Sequence, residues 1–237
     1  MLQTPLPWAS ARPLPDSFFD RDARQVALDL LGKVLRRRYG ELWLSARIIE
    51  TEAYMLNERG SHASLGFTHN RRALFEGGGT IYMYYARGGD SLNFSAQGPG
   101  NSVLIKSAYP WVDAISGPDS LATMQTLNPA QNGQMRPTDK LCAGQTLLCR
   151  ALNLKVPDWN AQGFDIGEFF VDDVGVTPQQ IIQSTRLGIP VGRDEHLPYR
   201  FVDAAYARQC TRSPLGRTRL EGEHYQLLEG GAAWKEV

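Results

Sequence analysis

Apolar residues near the start of the chain recur with the spacing of an amphipathic helix. They are Ala23, Val26, Ala27, Leu30 and Leu31. Residues three or four positions apart share one helix face, so this spacing predicts a helix that is buried on one side. Asp20 can cap its first turn, and Gly32 is a natural stop after its last turn.

Alternating apolar, β-branched and aromatic residues predict five strands in the next hundred residues. Two of them, at residues 33–39 and 42–54, flank a turn at Gly40 and Glu41. The other three, at residues 80–85, 91–95 and 102–108, are separated by glycine-rich turns. Such short connections are typical of an antiparallel meander.

The remaining pattern is less regular. It predicts helices at residues 119–127 and 141–152, with a polar loop between them at residues 128–138, and a strand at residues 169–176. Residues 55–79 are rich in Gly, Asn, Ser and charged side chains. A structureless segment of this length more often carries function than scaffolding.

The organisation of the chain favours one domain. Four of the first 15 residues are proline, which predicts a flexible arm at residues 1–15. We find neither an internal repeat nor a linker after it, so residues 16–237 are predicted to form a single domain. The 237 residues are 42% hydrophobic, enough for a sizeable core.

Composition excludes several classes of protein. No apolar run approaches the ~20 residues that cross a bilayer, and residues 1–15 lack the pattern of a signal peptide. Cys142, Cys149 and Cys210 are odd in number and lack metal-binding spacing, which indicates a reducing compartment without a disulfide framework. We therefore expect an intracellular protein: cytoplasmic or nucleoid-associated in a bacterium, nuclear in a eukaryote.

The charge balance neither requires nor excludes a nucleic-acid partner. The 25 basic and 25 acidic residues give a formal net charge of zero, whereas phosphate binding favours a basic surface. Arginines are nevertheless clustered at residues 36–38, at residues 71–87 and near the end of the chain. The simplest interpretation is that each cluster is a solvated face; the alternative is a segregated phosphate-binding surface.

The segment Ile48-Ile-Glu-Thr-Glu-Ala-Tyr54 is the first candidate for chemistry. In a regular strand, Glu50, Glu52 and Tyr54 share one face, while Ile49, Thr51 and Ala53 share the other. Two carboxylates beside a tyrosine suit a general base, since one carboxylate can raise the pKa of the other. An exposed polar face is equally consistent with the pattern, which does not choose between the two glutamates.

Four further residues could recognise a nucleobase. His62 can offer one donor and one acceptor to a purine edge, and it is not at zinc-binding spacing from His69. Tyr82 and Tyr84 share a strand face, where they either pack in the core or stack on a base. Asn93, on the neighbouring strand, carries an amide that could read a purine edge.

Together these residues resemble the alkyladenine DNA glycosylases, also called alkyladenine-type 3-methyladenine DNA glycosylases, over roughly residues 17–202. Four groups of residues carry the resemblance. They are Arg47-Ile-Ile-Glu-Thr-Glu-Ala-Tyr54 with His62 eight positions later, Gly79-Thr-Ile-Tyr-Met-Tyr84, Asn93 with Gln97-Gly98 and Val103-Leu104, and Leu141-Cys-Ala-Gly-Gln145 before Leu148-Cys149.

The resemblance implies a mixed α/β (α+β) fold, with a curved antiparallel sheet flanked by helices, and a monomer without metal or cofactor. It implies a base-excision-repair enzyme that flips alkylated or deaminated purines out of double-stranded DNA and hydrolyses their glycosidic bond. By position, Glu52 matches the residue that activates water. Tyr54, His62 and Tyr84 match the walls of the base pocket, and Asn93 matches the residue that disfavours normal guanine.

The chain departs from the family at the residues expected to contact DNA. The hairpin tip Tyr85-Ala86-Arg87-Gly88-Gly89-Asp90 is about one residue short, so the family's intercalating residue corresponds to Arg87 or Ala86, of which we favour Arg87. Leu104 is assigned to the same DNA-contacting set. Lys106 stands where the family has arginine. Two alternatives remain: a non-catalytic nucleic-acid-binding module on the same fold, and a hydrolase of free nucleosides.

Overall fold

A thirteen-residue strand organises the sheet, because it has hydrogen-bonded neighbours along both edges. The computed structural model describes residues 10–86, 88–231 and 233. Its strands are β1 (Val34–Tyr39), β2 (Leu42–Tyr54), β3 (Ile81–Ala86), β4 (Gly89–Ser95), β5 (Ser102–Pro110), β6 (Phe169–Asp172), β7 (Gln180–Ser184), β8 (Arg200–Asp203) and β9 (Tyr225–Glu229). Its α-helices are α1 (Asp16–Phe19), α2 (Ala23–Asp29), α3 (Asp119–Leu127), α4 (Gln145–Ala151) and α5 (Val156–Trp159).

All paired strands of the sheet are antiparallel. The main order is β3-β4-β5-β2-β8-β7-β9, and β1 pairs with the first half of β2 and with β6. The predicted meander is confirmed as β3, β4 and β5. Strands β7, β8 and β9 were not predicted from the pattern. The fold class, mixed α/β with an antiparallel sheet, is confirmed.

Helices cover one face of the sheet and enclose the main core. Apolar residues of α2, α3 and α4 pack there against alternate residues of the meander, such as Met83, Phe94 and Ile105. The hydroxyl of Thr51 donates to the backbone oxygen of Ala27 at 2.8 Å and ties β2 to α2. The candidate site described below lies on the sheet face that α2 does not cover, where the first turn of α4 also lines its cleft.

Several predicted boundaries differ from the structure, and three of the differences concern a helix cap or amount to four residues. The cap of α2 is Asp22, whose side chain accepts from the Arg24 amide, and not Asp20. The helix predicted at residues 141–152 begins only at Gln145, because Gly144 has φ of 134°, far from helical geometry. The strand predicted at residues 169–176 ends at Asp172.

An irregularity in β2 changes which residues share a face. The register with β5 shifts between Ile48 and Thr51, as at a β-bulge. Ile48 lies in the main core with Ala53, whereas Ile49 packs on the other face with Val202 and Ile182. The prediction that Ile49 shares a face with Thr51 and Ala53 is therefore wrong, because strict alternation does not continue through a bulge.

Part of the predicted N-terminal arm is attached to the sheet. Residues 1–9 lie outside the described residues. From Arg12 onward the chain follows β6: the amide of Arg12 donates to the Asp172 carboxylate at 2.8 Å, and the amide of Leu14 donates to the oxygen of Val171 at 2.9 Å. Within the described part of the chain, no helix is long and apolar enough to cross a bilayer.

A buried arginine holds three segments together at the far end of β2. The guanidinium of Arg36, 1% exposed, pairs with Asp172 at 2.9 Å and with Asp113 at 2.6 Å, and donates to Ser45 at 3.1 Å. Burial by itself would raise the pKa of Asp113. Hydrogen bonds from Arg36 and from the Ser116 amide overcome that effect and hold the pKa well below its usual range.

We expect Arg36→Met to lower the free energy of unfolding by about 3–5 kcal/mol, because it leaves the Asp172 carboxylate buried without its counter-charge. Urea denaturation at neutral pH measures the change. Arg38→Gln, at the more exposed end of the same strand, is the matched control and should stay within about 0.5 kcal/mol. Equal stabilities for the two variants would contradict this account of the network.

Candidate active site

A cleft of about 570 Å³ opens on the sheet face that α2 does not cover. This volume is in the range of small-molecule sites. Six of the predicted site residues line it together, namely Tyr54, His62, Tyr84, Asn93, Leu104 and Lys106, and Tyr82 lies among them. They come from β2, from β3, β4 and β5, and from the irregular segment that follows β2. Tertiary structure thus gathers into one cavity residues that are up to 52 positions apart.

Glu52 is fully buried beside this cleft, and each of its oxygens has a polar partner. Its Oε2 accepts from the hydroxyl of Tyr54 at 2.7 Å, and its Oε1 accepts from the amide of Leu187 at 3.0 Å. The ammonium of Lys106 lies 3.5 Å from Oε1. A buried carboxylate persists only with partners of this kind, so Glu52 is held in one orientation next to the cleft.

Tyr54 connects the carboxylate to the cleft wall. Burial raises the pKa of Tyr54 well above its usual range, and the charge of Glu52 adds to that effect. The guanidinium of Arg186 lies 4.5 Å from the centre of the Tyr54 ring and forms an ion pair with the buried Glu58. The phenol of Tyr54 is therefore a neutral donor with a fixed ring.

His62, Tyr82 and Tyr84 form a continuous aromatic surface on another side of the cleft. The rings of Tyr82 and Tyr84 are stacked with centres 5.4 Å apart, and His62 Nδ1 lies 3.1 Å from the Tyr82 hydroxyl. His62 is the first residue of a 3-10 turn, His62–Leu65. Ser61 caps this turn, and its side chain accepts from the Ala63 amide.

The rings of His62 and Tyr84 touch each other, with centres 4.2 Å apart and planes inclined by 57°. Stacked carbon atoms sit about 3.5–4.0 Å apart, so a flat base between two rings needs them about 7–8 Å apart. No base fits between these two rings as they stand. Desolvation lowers the pKa of His62, and the positive charges of Arg71 and Arg193 lower it further, so that its imidazole is neutral at neutral pH.

Asn93, Leu104 and Lys106 form the floor of the cleft. The amide of Asn93 donates to the backbone oxygen of Tyr82 at 3.2 Å, which orients the side chain. Leu104 is 2% exposed and pairs in register with both Glu52 and Asn93. It lines the cavity, and its predicted contact with DNA stays a prediction.

The second glutamate of the segment, Glu50, has different partners. It is fully buried, accepts from Arg200 Nε at 2.7 Å and from the Thr211 amide at 3.3 Å, and is bound by the hydroxyl of Ser107. The sequence pattern could not separate Glu50 from Glu52. The structure does, because only Glu52 contacts Tyr54 and Lys106 at the cleft.

Several residues at the site were missed by sequence reasoning. Arg186, Leu187 and Thr211 come from irregular segments far along the chain, and no periodic pattern or motif connects them to β2. Arg87 lies outside the described residues, so its predicted contact with DNA stays a prediction. Among the described residues, no group of three or more His, Cys, Asp or Glu side chains is placed to hold a metal ion.

The chain is similar in sequence to known proteins over most of its length. Residues 17–207 match the family described as methylpurine-DNA glycosylase. The chain is similar to a Pseudomonas aeruginosa protein, 67% identical over 94% of this chain and 93% of the relative, and to a Pseudomonas fluorescens protein, 69% identical over 91% and 93%. A Methanocella arvoryzae protein is 33% identical over 85% of this chain and 97% of its own. All three are provisionally named 3-methyladenine DNA glycosylases.

The buried phenols provide a test of the geometry. Burial is the main effect that raises the pKa of Tyr54, Tyr82 and Tyr84. We expect three of the nine tyrosines to stay protonated at pH values where an ordinary exposed tyrosine, with a pKa of about 10, is already ionised. Any stability they contribute is full below the unfolded-state pKa and is lost as pH rises from there through their folded-state pKa values.

Near-ultraviolet absorbance titration counts the tyrosines that ionise, with circular dichroism as the check that the fold persists. Tyr54→Phe should remove one late-titrating group. Ionisation of all nine tyrosines together near pH 10 in the folded protein would contradict the buried arrangement.

Proposed function

Because the chain belongs to the methylpurine-DNA glycosylase family, we propose that it removes damaged purines from double-stranded DNA by flipping the nucleotide and hydrolysing its glycosidic bond. The resemblance that the sequence motifs indicated is confirmed by that membership. The observation that carries the finer proposal is the buried carboxylate of Glu52, oriented by three polar partners beside a cleft of purine-compatible volume.

Base flipping follows from the depth of the site. The target bond is inaccessible inside stacked DNA, and Glu52 is itself fully buried, so the nucleotide must leave the duplex. Extrusion costs a few kcal/mol, and least for damaged or mismatched pairs. Aromatic walls return about 1–3 kcal/mol per base. Electron-rich rings also attract the positive charge of an alkylated purine, which suits Tyr54 and Tyr84.

Glu52 serves as the general base in this proposal. Its carboxylate takes a proton from water as the water oxygen attacks C1′ of the sugar. The glycosidic bond breaks in the same step, ahead of full formation of the new C–O bond, and its electron pair leaves with the purine. The negative charge of Glu52 stabilises the developing oxocarbenium character. Lys106, 3.5 Å away, stands where the family has arginine and can hold water or phosphate as a point charge.

His62 must move for the base to be sandwiched. Since its ring now contacts Tyr84 at 4.2 Å, the 3-10 turn His62–Leu65 has to shift outward when a purine enters. Asn93, held by its bond to the Tyr82 backbone, then faces the purine edge. We propose that it disfavours guanine by opposing the exocyclic amino group that hypoxanthine and adenine lack at that position.

The remaining elements of the proposal are partner, assembly and cofactor. We propose that the protein acts as a monofunctional glycosylase, as a monomer and without metal or cofactor, in the compartment that holds the chromosome: the cytoplasm and nucleoid in a bacterial cell. A non-catalytic DNA-binding module on this fold is the alternative. Such a module would not require the ordered carboxylate of Glu52, whose three partners favour the enzyme.

Glu52→Gln tests the general base. We expect it to lower single-turnover release of 3-methyladenine or hypoxanthine from duplex DNA by about 100- to 10,000-fold, the usual contribution of such a group, while binding of lesion DNA changes little. Chromatography of the released base measures the rate.

The matched control is Glu41→Gln, which removes a carboxylate that is 96% exposed and should leave the rate unchanged. Unchanged release in Glu52→Gln would refute the assignment of the base. Absence of release from the unaltered protein, with binding retained, would support the non-catalytic module. Turnover of free nucleosides would instead favour the alternative that the protein is a hydrolase of free nucleosides.

Arg87→Ala tests the residue predicted to fill the space left by the flipped nucleotide. Its planar guanidinium can stack and bind phosphate. We expect release of a paired hypoxanthine to fall about tenfold, since a pair resists extrusion by a few kcal/mol. Release of a lesion in single-stranded DNA should change far less. Equal losses on both substrates would show that Arg87 does not assist flipping.

A further inference from the structure

The segment after the family match ends contributes one residue, Thr211, to the wall of the cleft. Cys210 packs beside Ile49 and Val202 on the outer face of the sheet, and Thr211 lines the cleft itself. Lys140 donates to the backbone oxygen of Arg208 at 3.3 Å and fixes the start of this segment. The rim of the site therefore includes a residue that lies beyond the matched residues 17–207.

Glu50 holds this wall in place. Its carboxylate accepts from the amide of Thr211 at 3.3 Å, and Ser107 lies 3.1 Å from the Thr211 hydroxyl. Arg200, paired with Glu50 at 2.7 Å, also donates to the backbone oxygen of Arg212 at 2.6 Å. The buried ion pair between Glu50 and Arg200 thus holds Thr211 and Arg212 in place. Glu50 lies two positions before Glu52 on β2.

The same segment is strongly basic. Residues 208–219 contain four arginines and no acidic residue in a chain whose net charge is zero. Arg208, Arg212 and Arg217 are exposed, and none of the three forms an ion pair with another described residue. Exposed cations without counter-charges beside a cleft attract a polyanion.

We propose that residues 208–219 bind the DNA backbone next to the flipped nucleotide, with Glu50 and Arg200 acting as positioning residues. The inference rests on the proposed function only in taking duplex DNA as the ligand. Thr211 marks the point at which the segment meets the cleft, and the neighbouring Arg208 and Arg212 supply the charge for phosphates on either side. Membership of the family does not by itself provide this surface, since the segment lies past the family match.

The salt dependence of DNA binding tests the inference on the full-length protein. Fluorescence anisotropy with undamaged duplex DNA gives Kd across a range of KCl concentrations. We expect Arg212→Gln to reduce the slope of log Kd against log salt by about one, and Arg208→Gln with Arg212→Gln by about two, because each lost phosphate contact releases one counterion fewer.

The control variant is Arg38→Gln, which removes the same charge. Arg38 lies opposite Trp43 of β2. Trp43 is eleven residues before Tyr54, which is roughly 35 Å along the strand at about 3.3 Å per residue, so Arg38 is far from the cleft. The salt-dependence slope of this control variant should match that of the unaltered protein. Unchanged slopes in both arginine variants would overturn the inference.

The positioning role has a separate readout. Thr211→Val removes the hydroxyl that faces Ser107 without changing any charge, and we expect trypsin to cleave after Arg208 and Arg212 several-fold faster. Unchanged cleavage would contradict the positioning of this segment by Glu50 through Ser107 and Thr211. Because the duplex is undamaged, binding does not depend on excision. If the wild-type protein released no base, only the proposed function would be contradicted. If the dependence of log Kd on log salt were unchanged in the arginine variants, only this inference would be contradicted.

Discussion

Two buried carboxylates on one strand are the constraint on which the site depends. Glu50 and Glu52 are both fully buried, and an unpaired buried charge is far too costly to persist. Their partners come from β5, β8 and the irregular segments near Leu187 and Thr211. Satisfying the two charges therefore fixes the cleft floor, one wall and the rim at once. Each segment is positioned by a polar contact with β2 as well as by apolar packing.

The bulge in β2 lets one strand place apolar residues in the main core and the two glutamates on the opposite face. Before it, Ile48 contributes to the main core; after it, Ala53 does so, while Glu50 and Glu52 face away from α2. A strand with uninterrupted alternation would place one of these sets on the wrong face. The long strand thus joins the Arg36 network at one end to the cleft at the other, which gives the catalytic candidate a rigid support.

The cleft is assembled but not fully open. Neutral His62 rests against Tyr84 and covers part of the aromatic surface. His62 belongs to the irregular segment after β2, whereas Glu52, Asn93 and Lys106 stand on strands of the sheet. This division places the groups that need precise orientation on rigid elements and the group that must move on a loop. Zero net charge is likewise compatible with DNA binding, because charge is unevenly distributed: residues 208–219 contain four arginines and no acidic residue.

The sequence by itself determined the meander, α3, the family and six residues that line one cleft. Local periodicity and closely spaced motifs can be recognised because they involve residues that are near one another in the chain. It did not determine β7, β8 or β9, the bulge, or the partners of the two glutamates. Those features depend on contacts between residues distant in the sequence, such as Glu52 with Leu187 and Glu50 with Arg200. Strand parity left Glu50 and Glu52 equivalent. The family resemblance selected Glu52, and the tertiary structure supplied the physical difference, since distant segments give the two buried charges different partners.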